Sequence, residues 1–542
     1  MVFYSIIVVI VFLLITIFLG YLGYKNTKSS QDFLLAGRKT HPLIMALSYG
    51  ATFISTSAIV GFGGLAANMG MGLLWLTFFN VFIGIFIAFV LFGKKTRRMG
   101  HRLNAHTFPE LLGKRFESKF IQGFAAALIF LFMPIYAASV IKGGANFVQT
   151  YFGIPYGISL LAFVLIVAAY VWMGGMKAVM YTDAFQACIM FVAMMVLLIT
   201  AYVNLGGFTA AHQKLTDLFS NPAIQEDIAK SVSTGFQGWT SMPKGGSPMW
   251  WSLVSTIVLG VGIGVLAQPQ LVVRFMTVKS DRELNRAVFS GGIFILAMTG
   301  VAFVVGALSN VLLFEKTGKI AIMAADKVND NIIPLFIKSF LPEWFAAIFL
   351  VSMLAAAMST LSSQFHTMGT AAGRDLYEKS FGKKGNTLTM TKTATLVVIV
   401  LSTAIAWSSN GLPIADGIIA KFTTMFFELT TAAFLPVYVG ALYFKSLPKA
   451  AAKWGMISGS AAWFVWTFFV HSNASYMQIC KLLTGKTSIV LGTSLEKLSM
   501  VGTTFIALPV AIVVLAAVWL AKGRSGKLDI DEKVIDKCFA NV

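Results

Sequence analysis

The sequence has few charged residues and almost no cysteine for its length. Asp, Glu, Lys and Arg make up 12% of the 542 residues, whereas soluble domains carry about 25%. The three cysteines, Cys188, Cys480 and Cys538, are far apart and match no metal-binding or redox spacing. HExxH and GxSxG motifs are absent, and the six histidines form no ligand cluster. These absences exclude the common metalloproteases and serine hydrolases. We therefore expect a protein that is not an enzyme and has no cofactor.

Apolar residues dominate instead, at 57% of the chain, and the mean hydropathy is +0.78. Hydropathy along the chain predicts an all-α polytopic membrane protein with about 13 transmembrane helices. The first apolar run has no basic residue before it and is too long for a signal-peptide core, so we interpret it as a retained helix. The predicted spans are residues 2–24, 41–68, 73–93, 119–150, 157–174, 181–205, 249–276, 288–314, 343–372, 393–410, 415–443, 454–472 and 499–522.

The charge distribution predicts the orientation of these helices. A net charge of +20 is compatible with a nucleic-acid partner, but the basic residues lie in short loops between apolar runs. The loops alternate between two sides of the membrane, and most of the 42 Lys and Arg residues fall in the loops of one side. Arg274 is counted among these residues. The positive-inside rule predicts that this set of loops is cytoplasmic. We expect the protein to lie in the plasma (cell inner) membrane. The N-terminus is then outside and the C-terminus cytoplasmic, with the lipid bilayer as a partner and neither nucleic acid nor an obligatory protein partner indicated.

The predicted spans divide into two groups of five. An odd number of spans makes the second group enter the membrane from the opposite side, as an inverted-repeat transporter requires. The predicted organisation is an extra N-terminal transmembrane helix with its cytoplasmic loop at 1–40, a first repeat at 41–205, an extracellular loop at 206–248, a second repeat at 249–443, two peripheral helices at 444–522 and a cytoplasmic tail at 523–542.

Each group begins with a helix rich in small and helix-breaking residues. Paired interruptions in the two halves of a transporter indicate a binding site at mid-membrane, where unwound backbone carbonyls face an ion. The residues are Ser48, Gly50, Ser55, Thr56, Ser57, Gly61, Gly63 and Gly64 in the first group, and Gly260, Gly262, Gly264, Gln268 and Pro269 in the second.

The span at 343–372 carries hydroxyl groups along one face. Ala356, Ser359, Thr360 and Ser363 are spaced i, i+3, i+4 and i+7, so they share a face of the helix. Hard oxygen ligands in a dry place suit Na⁺ by the same reasoning that applies to Ca²⁺ and Mg²⁺. The alternative is that these hydroxyls bond to their own helix or let neighbouring helices pack closely.

Seven short motifs occur in an order and spacing that resemble the sodium:solute symporter family. The resemblance covers residues 30–520 and implies a leucine-transporter-type fold, a 5+5 inverted repeat with extra helices outside the core. The motifs are FLLAGR at 33–38, ALSYGATFIS at 46–55, TFPELLGKRF at 107–116, IYAAS at 135–139, GGMKAVMYTDAFQ at 174–186, QPQLVVRF at 268–275 and AAAMSTLSSQ at 355–364.

The same resemblance implies sodium ligands, with no other metal. Backbone carbonyls of the first broken helix and hydroxyls of the helix at 343–372 would bind one ion. Some family members hold a second ion with an aspartate and nearby hydroxyls. By motif position, the first set is Ala51, Ile54, Ala356, Ser359 and Thr360, and the second is Asp183, Ser359, Ser362 and Ser363. Asp183 also stands out by itself, since a carboxylate within a span usually faces a cavity or a cation.

The resemblance assigns a solute pocket to residues near the broken helices. Val261 and Val265 stand where proline transporters of the family place aromatic side chains, which argues against proline and for a short aliphatic chain. Lys142, Lys421 and Glu428 are further charged residues within predicted spans; the lysines either pair with Glu428 or attract an anion. The candidate solute-binding residues are Ser55, Thr77, Asn80, Tyr136, Val261, Val265 and Gln268.

These observations predict a secondary active transporter that couples Na⁺ to the symport of a small organic solute by alternating access. Small monocarboxylates are favoured, then short amino acids. Two alternatives remain open at this point: proton coupling through Asp183, and a transporter-like sensor. The predicted tail of about 20 residues, too short for a kinase, counts against the sensor.

Overall fold

The computed structural model describes residues 2–27, 29–173, 175–382, 387–411, 417–472, 479–523 and 529–540. Helices account for the regular structure there, and one isolated parallel bridge joins Thr40 to Val278. Ten helices of the described part are long and apolar enough to cross a membrane, and two shorter apolar ones accompany them. The all-α membrane fold is therefore confirmed. The count of 13 helices, the 5+5 repeat and the segment boundaries stay predictions.

The described part of the N-terminal half contains twelve α-helices and two π-helical segments. The π-helical segments Ser57–Phe62 and Phe82–Gly93 precede α4 and α6. The α-helices, in chain order, are α1 Val2–Lys25, α2 Ser30–Leu35, α3 Pro42–Phe53, α4 Gly63–Met69, α5 Leu74–Val81, α6 Lys94–Arg102, α7 Phe108–Arg115, α8 Lys119–Phe152, α9 Tyr156–Met173, α10 Met176–Asn204, α11 Phe208–Leu218 and α12 Gln225–Ser231.

The C-terminal half also combines α-helices with π-helical segments. Its π-helical segments are Ser252–Leu259, Ala371–Ser380, Thr430–Phe434 and Trp466–Val470. Its α-helices are α13 Pro248–Trp251, α14 Gly260–Gly264, α15 Pro269–Phe275, α16 Asp281–Thr317, α17 Ala321–Ala324, α18 Ile332–Phe340, α19 Glu343–Thr370, α20 Thr387–Ser408, α21 Ile418–Leu429, α22 Leu435–Tyr443, α23 Lys449–Val465, α24 Ile479–Thr484, α25 Thr503–Gly523 and α26 Glu532–Phe539.

Helix α19 lies at the centre of the bundle. In the most apolar window of the helical run 343–380, 94% of the residues are buried, against 17% for α1 and 22% for α25. It packs against α3, α8, α10 and α20. All three helices are apolar, so hydropathy does not distinguish them. Their different burial within the protein shows that α19 is a core helix, whereas α1 and α25 are peripheral. The helix with the hydroxyl face is thus surrounded by protein.

Both predicted interruptions are present. After α3, the chain bends at Ile54, which has an extended backbone with φ −89° and ψ 106°, and the helix resumes after Ser55. Between α14 and α15, Gln268 has φ −66° and ψ 116°, and Pro269, which has no N–H to donate, begins the new helix. Each break releases backbone carbonyls from the helical hydrogen-bond pattern, so they are available to other partners.

Two sets of loops meet at opposite ends of the bundle. At one end, Arg97 and Arg98 pair with Asp281 at 2.7 and 2.5 Å, which joins the middle of α6 to the start of α16. At the other end, Lys214 pairs with Glu315 at 2.9 Å. Each ion pair therefore joins two segments that the charge distribution assigns to the same side of the membrane. Which end faces the cytoplasm stays a prediction.

Cysteine labelling tests that orientation. Ser220, in the loop predicted to be outside, and Lys119, the first residue of α8 beside the loop predicted to be inside, are both exposed. With Cys188, Cys480 and Cys538 replaced, we expect Ser220→Cys on intact cells to react with an impermeant thiol reagent and Lys119→Cys to react only after permeabilisation. Equal labelling of both positions on intact cells would contradict the predicted topology.

Candidate sodium and solute site

Hydrogen bonds bring Ser359 and Thr360 to the carbonyl oxygens of Ala51 and Ala356, next to the break at Ile54, so four of the five residues assigned to the first sodium ion contact one another. The Ser359 hydroxyl donates to the Ala51 carbonyl oxygen at 2.9 Å and lies 3.2 Å from that of Ala356. The Thr360 hydroxyl lies 3.4 Å from the Ala51 oxygen and 3.1 Å from that of Thr52. Helix α19 therefore brings two hydroxyls onto the carbonyls that the break has freed.

This cluster has the chemistry that a Na⁺ ion needs. Ala51, Ile54, Ala356, Ser359 and Thr360 are each at most 1% exposed. Their oxygens are neutral and hard, and a hydroxyl can turn its proton away and offer a lone pair. The same contacts satisfy the alternative predicted from sequence, since Ser359 also reaches a carbonyl of its own helix. Assignment of the five residues to Na⁺ stays a prediction.

The residues assigned to a second ion surround a buried arginine. Arg274 of α15 donates to Asp183 Oδ2 at 2.9 Å, to Ser363 Oγ at 2.6 Å and to Ser48 Oγ at 3.1 Å, and it also bonds to Thr52. Both Arg274 and Asp183 are fully buried. The sequence analysis counted Arg274 with the charges of a cytoplasmic loop, and the structure places it inside the bundle instead. A guanidinium group thus lies where a second cation was predicted.

Ser362, also assigned to the second ion, does not contact Arg274 through any of these hydrogen bonds. Ser362 donates to the Ser359 carbonyl of its own helix at 3.1 Å. Asp183 Oδ1 is buried and has no hydrogen-bond partner among the described residues. The carboxylate therefore retains one acceptor beside its ion pair, and binding of a second Na⁺ stays a prediction.

A small cavity lies directly beyond the helix break, where the sequence analysis predicts the solute pocket. Ile54, Ser55, Asn80, Tyr136 and Val261 line a cavity of about 20 Å³, large enough for about one water molecule. Tyr136 is hydrogen-bonded to Ser55. Further lining residues that the sequence analysis did not identify are Phe53, Ala58, Phe62, Leu76, Thr299, Phe303, Thr423 and Phe427.

Three of the predicted solute-binding residues lie elsewhere. Val265 packs against Gly84, so closely that a Cβ atom added to this glycine would lie 3.2 Å from the Val265 side chain. Gln268 donates to Thr430 at 3.1 Å, and Thr77 is buried and absent from the cavity lining. The missed residues on α16 and α21, Phe303 and Phe427, had no signal in the sequence because an isolated phenylalanine in a membrane helix is ordinary.

The segment before α18 packs closely against α4, at the end of the bundle that is predicted to be outside. A side chain at Gly64 would lie 2.2 Å from the Asn329 carbonyl oxygen, so glycine is required for this contact. Asn68 donates to the Asn329 side chain at 2.7 Å. Burial raises the pKa of the adjacent Asp330 to about 6, whereas the charge of Lys142 and the amides at the start of α21 act in the opposite direction.

Ion pairs surround α7 at the end of the bundle that is predicted to be cytoplasmic. Glu110 lies 3.2 Å from Arg374, which follows α19, and 2.9 Å from Lys114. Burial acts to raise the pKa of Glu110, but the hydrogen bond from His106 and the charges of Arg374 and Lys114 hold it well below its usual range. The pair with Arg374 joins α7 to the segment that follows α19.

The fold and the site together define a multi-pass secondary transporter with two interrupted helices around a central pocket. The model of the sodium:solute symporter family matches residues 33–459. The chain belongs to the sodium:solute symporter family. It is 28% identical over 495 residues to a sodium/proline symporter of Staphylococcus aureus, covering 87% of this chain and 88% of that one. It is 27% identical over 500 residues to sodium/proline symporter 2 of Staphylococcus saprophyticus, with the same two coverages.

Solved structures confirm the leucine-transporter-type fold that the resemblance implied. A Na⁺-coupled sialic acid symporter in a substrate-bound outward-open state superposes with a TM-score of 0.71 at 16% identity, covering 95% of this chain and 97% of that one. A nucleobase-cation-symport-1 family transporter in a closed conformation superposes with a TM-score of 0.53 at 12% identity, covering 94% and 100%.

Proposed function

We propose that this chain couples the entry of Na⁺ to the uptake of a small carboxylate-bearing solute, either a short monocarboxylate or a short neutral amino acid. One observation carries the proposal: the five predicted sodium ligands and the solute pocket share the break after α3. Ile54 belongs to both, and Ser55, the next residue, is hydrogen-bonded to Tyr136 in the pocket. An ion that fixes the backbone at Ala51 and Ile54 therefore shapes the pocket as well.

The pocket favours a carboxylate at one end and a short apolar chain at the other. Its described lining contains no charged side chain. The helix that restarts near Ser57 presents its N-terminus beside the break, and such half-helix termini stabilise anionic groups of a solute. Ile54, Val261 and Phe303 supply the apolar wall. The amide oxygen of Asn80 has no hydrogen-bond partner among the described residues. It would accept a hydrogen bond from an amino group.

The sodium gradient is sufficient for this task. One Na⁺ that crosses about 100 mV gains roughly 2.3 kcal/mol. A tenfold concentration gradient adds roughly 1.4 kcal/mol. The sum of about 3.7 kcal/mol sustains an accumulation of a few hundredfold. Coupling to one ion is thus enough for a nutrient carrier.

Uptake into proteoliposomes tests the proposal. L-Alanine and propionate differ by one ammonium group, as L-proline and cyclopentanecarboxylate do by one ring nitrogen. With labelled forms of these four and of glucose, we expect an inward Na⁺ gradient to drive uptake of at least one carboxylate and none of the hexose. If K⁺ replaces Na⁺ without effect, or if glucose is the best substrate, the proposal is wrong.

Tyr136→Phe tests the pocket itself. It removes one buried hydroxyl that is bonded to Ser55, a loss of about 1 kcal/mol or somewhat more. We expect the KM for uptake to rise severalfold, while the Na⁺ requirement stays nearly constant. Tyr156→Phe is the matched control, because it removes a buried hydroxyl that donates to the Ala406 carbonyl at 3.0 Å outside the pocket. Equal effects of the two variants on KM would contradict the assignment.

A further inference from the structure

A cavity of about 380 Å³ opens at the end of the bundle that is predicted to be cytoplasmic. It lies between the segment that joins α2 to α3 and the first two turns of α10. None of the residues assigned to Na⁺ or to the solute is among its described lining. At about 30 Å³ for each water molecule in the liquid, the volume holds a polar group of about a dozen non-hydrogen atoms.

Two lysines and one carboxylate line this cavity. Lys39 lies in the segment after α2, Lys177 in the first turn of α10 and Asp32 in α2. The Lys177 ammonium group donates to the Asn26 carbonyl oxygen at 3.2 Å. Because an ammonium group has several donors, it can bind a ligand as well. The described lining carries a net charge of +1, which suits an anion that also has a hydroxyl group to offer Asp32.

Close packing of helices fixes the walls of the cavity. A Cβ atom added to Gly23 of α1 would lie 2.4 Å from the Ala178 Cα atom of α10. A Cβ atom added to Gly175, just before α10, would lie 2.6 Å from the ring of Phe33 in α2. The start of α10 therefore touches α1 and α2 without space for a side chain at either glycine.

The segment that carries Lys39 is anchored on both sides of this residue. Arg38 is buried and donates to the Ala105 carbonyl oxygen at 2.9 Å. Its backbone has φ 58°, in the left-handed region that residues other than glycine seldom adopt. The Thr40 N–H donates to the Thr277 carbonyl oxygen at 3.2 Å. The fold thus holds the backbone of Lys39 at the edge of the cavity.

A lipid-facing stripe on α10 begins at the same cavity. Tyr181 lines the cavity and is 40% exposed, and tyrosine is enriched at the headgroup level of membrane proteins. Val192, Ile199 and Val203 follow it at steps of 11, 7 and 4 residues and are 58%, 56% and 71% exposed. These spacings place the four side chains on one face of the helix. An acyl chain can lie along this stripe while its headgroup enters the cavity.

We propose that this cavity binds the headgroup of an anionic phospholipid, with the phosphate at Lys39 and Lys177 and an acyl chain along the stripe on α10. Basic pockets between transmembrane helices on the cytoplasmic side suit such headgroups. The stripe favours a lipid over a soluble phosphate, because only a lipid covers apolar surface as well. The segment with Lys39 leads into α3, which ends at the break at Ile54. A bound lipid therefore steadies the helix that carries the proposed Na⁺ and solute sites.

Native mass spectrometry of the full chain in detergent tests the binding without any transport measurement. The probes are phosphatidylglycerol, which is anionic, and phosphatidylethanolamine and phosphatidylcholine, which carry no net charge, all with the same acyl chains. A lysine near an anionic headgroup is worth about a fivefold change in affinity. We therefore expect phosphatidylglycerol to bind at least about fivefold more tightly than the other two. Lys39→Gln and Lys177→Gln should each remove about a fivefold share of this affinity.

Lys119→Gln is the matched control. Lys119 is exposed at the start of α8, on the same predicted side of the membrane and outside the cavity. The variant makes the same change of charge, and we expect it to bind phosphatidylglycerol as the wild type does. The wild-type comparison of the three lipids decides the matter even if a variant fails to fold.

Thiol labelling locates the bound lipid. With the native cysteines replaced, Tyr181→Cys keeps both lysines of the cavity. We expect an uncharged thiol reagent to label it severalfold more slowly in nanodiscs that contain phosphatidylglycerol than in nanodiscs of phosphatidylcholine alone. Lys119→Cys should be labelled at the same rate in both. An excess of inorganic phosphate, which has the anion but no acyl chain, should not protect Tyr181→Cys.

Three results would overturn the lipid site: equal binding of the three lipids, binding of phosphatidylglycerol that both Lys39→Gln and Lys177→Gln leave unchanged, or a loss just as large in Lys119→Gln. Labelling of Tyr181→Cys that phosphatidylglycerol does not slow would contradict the location in this cavity. Protection of Tyr181→Cys by inorganic phosphate alone would show a site for a soluble anion and would overturn the assignment to a lipid.

Discussion

Thr360→Ala is expected to raise the Na⁺ concentration for half-maximal uptake tenfold or more. Its hydroxyl lies among the carbonyl oxygens freed at the break after α3, in a fully buried place. Loss of one such ligand in a dry site costs about 1–3 kcal/mol, and about 1.4 kcal/mol corresponds to a tenfold change. The measurement is the initial rate of solute uptake against Na⁺ concentration in proteoliposomes of purified protein.

Two variants separate ion binding from packing. Thr360→Ser keeps the oxygen and should have a mild effect. Thr370→Ala removes a buried hydroxyl of the same helix that bonds only to its own turn, at 2.9 Å from the His366 carbonyl and 3.0 Å from that of Thr367. It should leave the Na⁺ requirement unchanged. An unaltered Na⁺ requirement in well-folded Thr360→Ala would show that this face is not an ion site.

Asp183→Asn is expected to cause a large loss of stability. It removes the charge partner of Arg274, which is fully buried and 2.9 Å away. Breaking a buried ion pair from one side typically costs about 3–5 kcal/mol, because it leaves an uncompensated charge. The measurement is the thermal unfolding midpoint of purified protein in detergent. A midpoint equal to that of the wild type would contradict the pairing.

The double variant Asp183→Asn with Arg274→Gln tests the cause. Removing both charges should restore much of the lost stability, because no unpaired charge remains. If the double variant loses as much stability as the two single variants together, the two residues do not act as a pair.

The Na⁺ dependence of uptake in the same variants tests whether a second Na⁺ binds at Asp183. A second Na⁺ at Asp183 predicts a lower Hill slope in the double variant, whereas a guanidinium that serves as the resident cation predicts an unchanged slope.

Hydropathy was sufficient to predict the membrane fold, and the breaks were predictable because proline and glycine act locally. Pro269 cannot donate a backbone hydrogen bond, and the structure interrupts the helix directly before it. The hydroxyl face of α19 was predictable from spacing alone, since helical periodicity places Ser359 and Thr360 together. Their position against the Ala51 carbonyl, 308 residues away for Ser359, came from the family resemblance, not from the pattern.

The role of Arg274 could not be obtained from the sequence. An arginine at the end of an apolar run usually extends to the membrane surface, so it was counted with the cytoplasmic loop. Burial of this side chain depends on Asp183, Ser48 and Ser363, which come from three other helices. The pocket residues Phe303 and Phe427 were missed for a related reason, because only the packing of α16 and α21 brings them to Tyr136.

The most direct test is ²²Na⁺ uptake into proteoliposomes, measured with and without a solute that the wild type transports. A Na⁺ site and a solute pocket on one broken helix predict that the solute stimulates ²²Na⁺ entry in the wild type. They also predict that Thr360→Ala loses this stimulation at the same Na⁺ concentration, while Thr370→Ala keeps it. Solute uptake driven by a proton gradient, with ²²Na⁺ entry indifferent to solute, would contradict the coupling at this site.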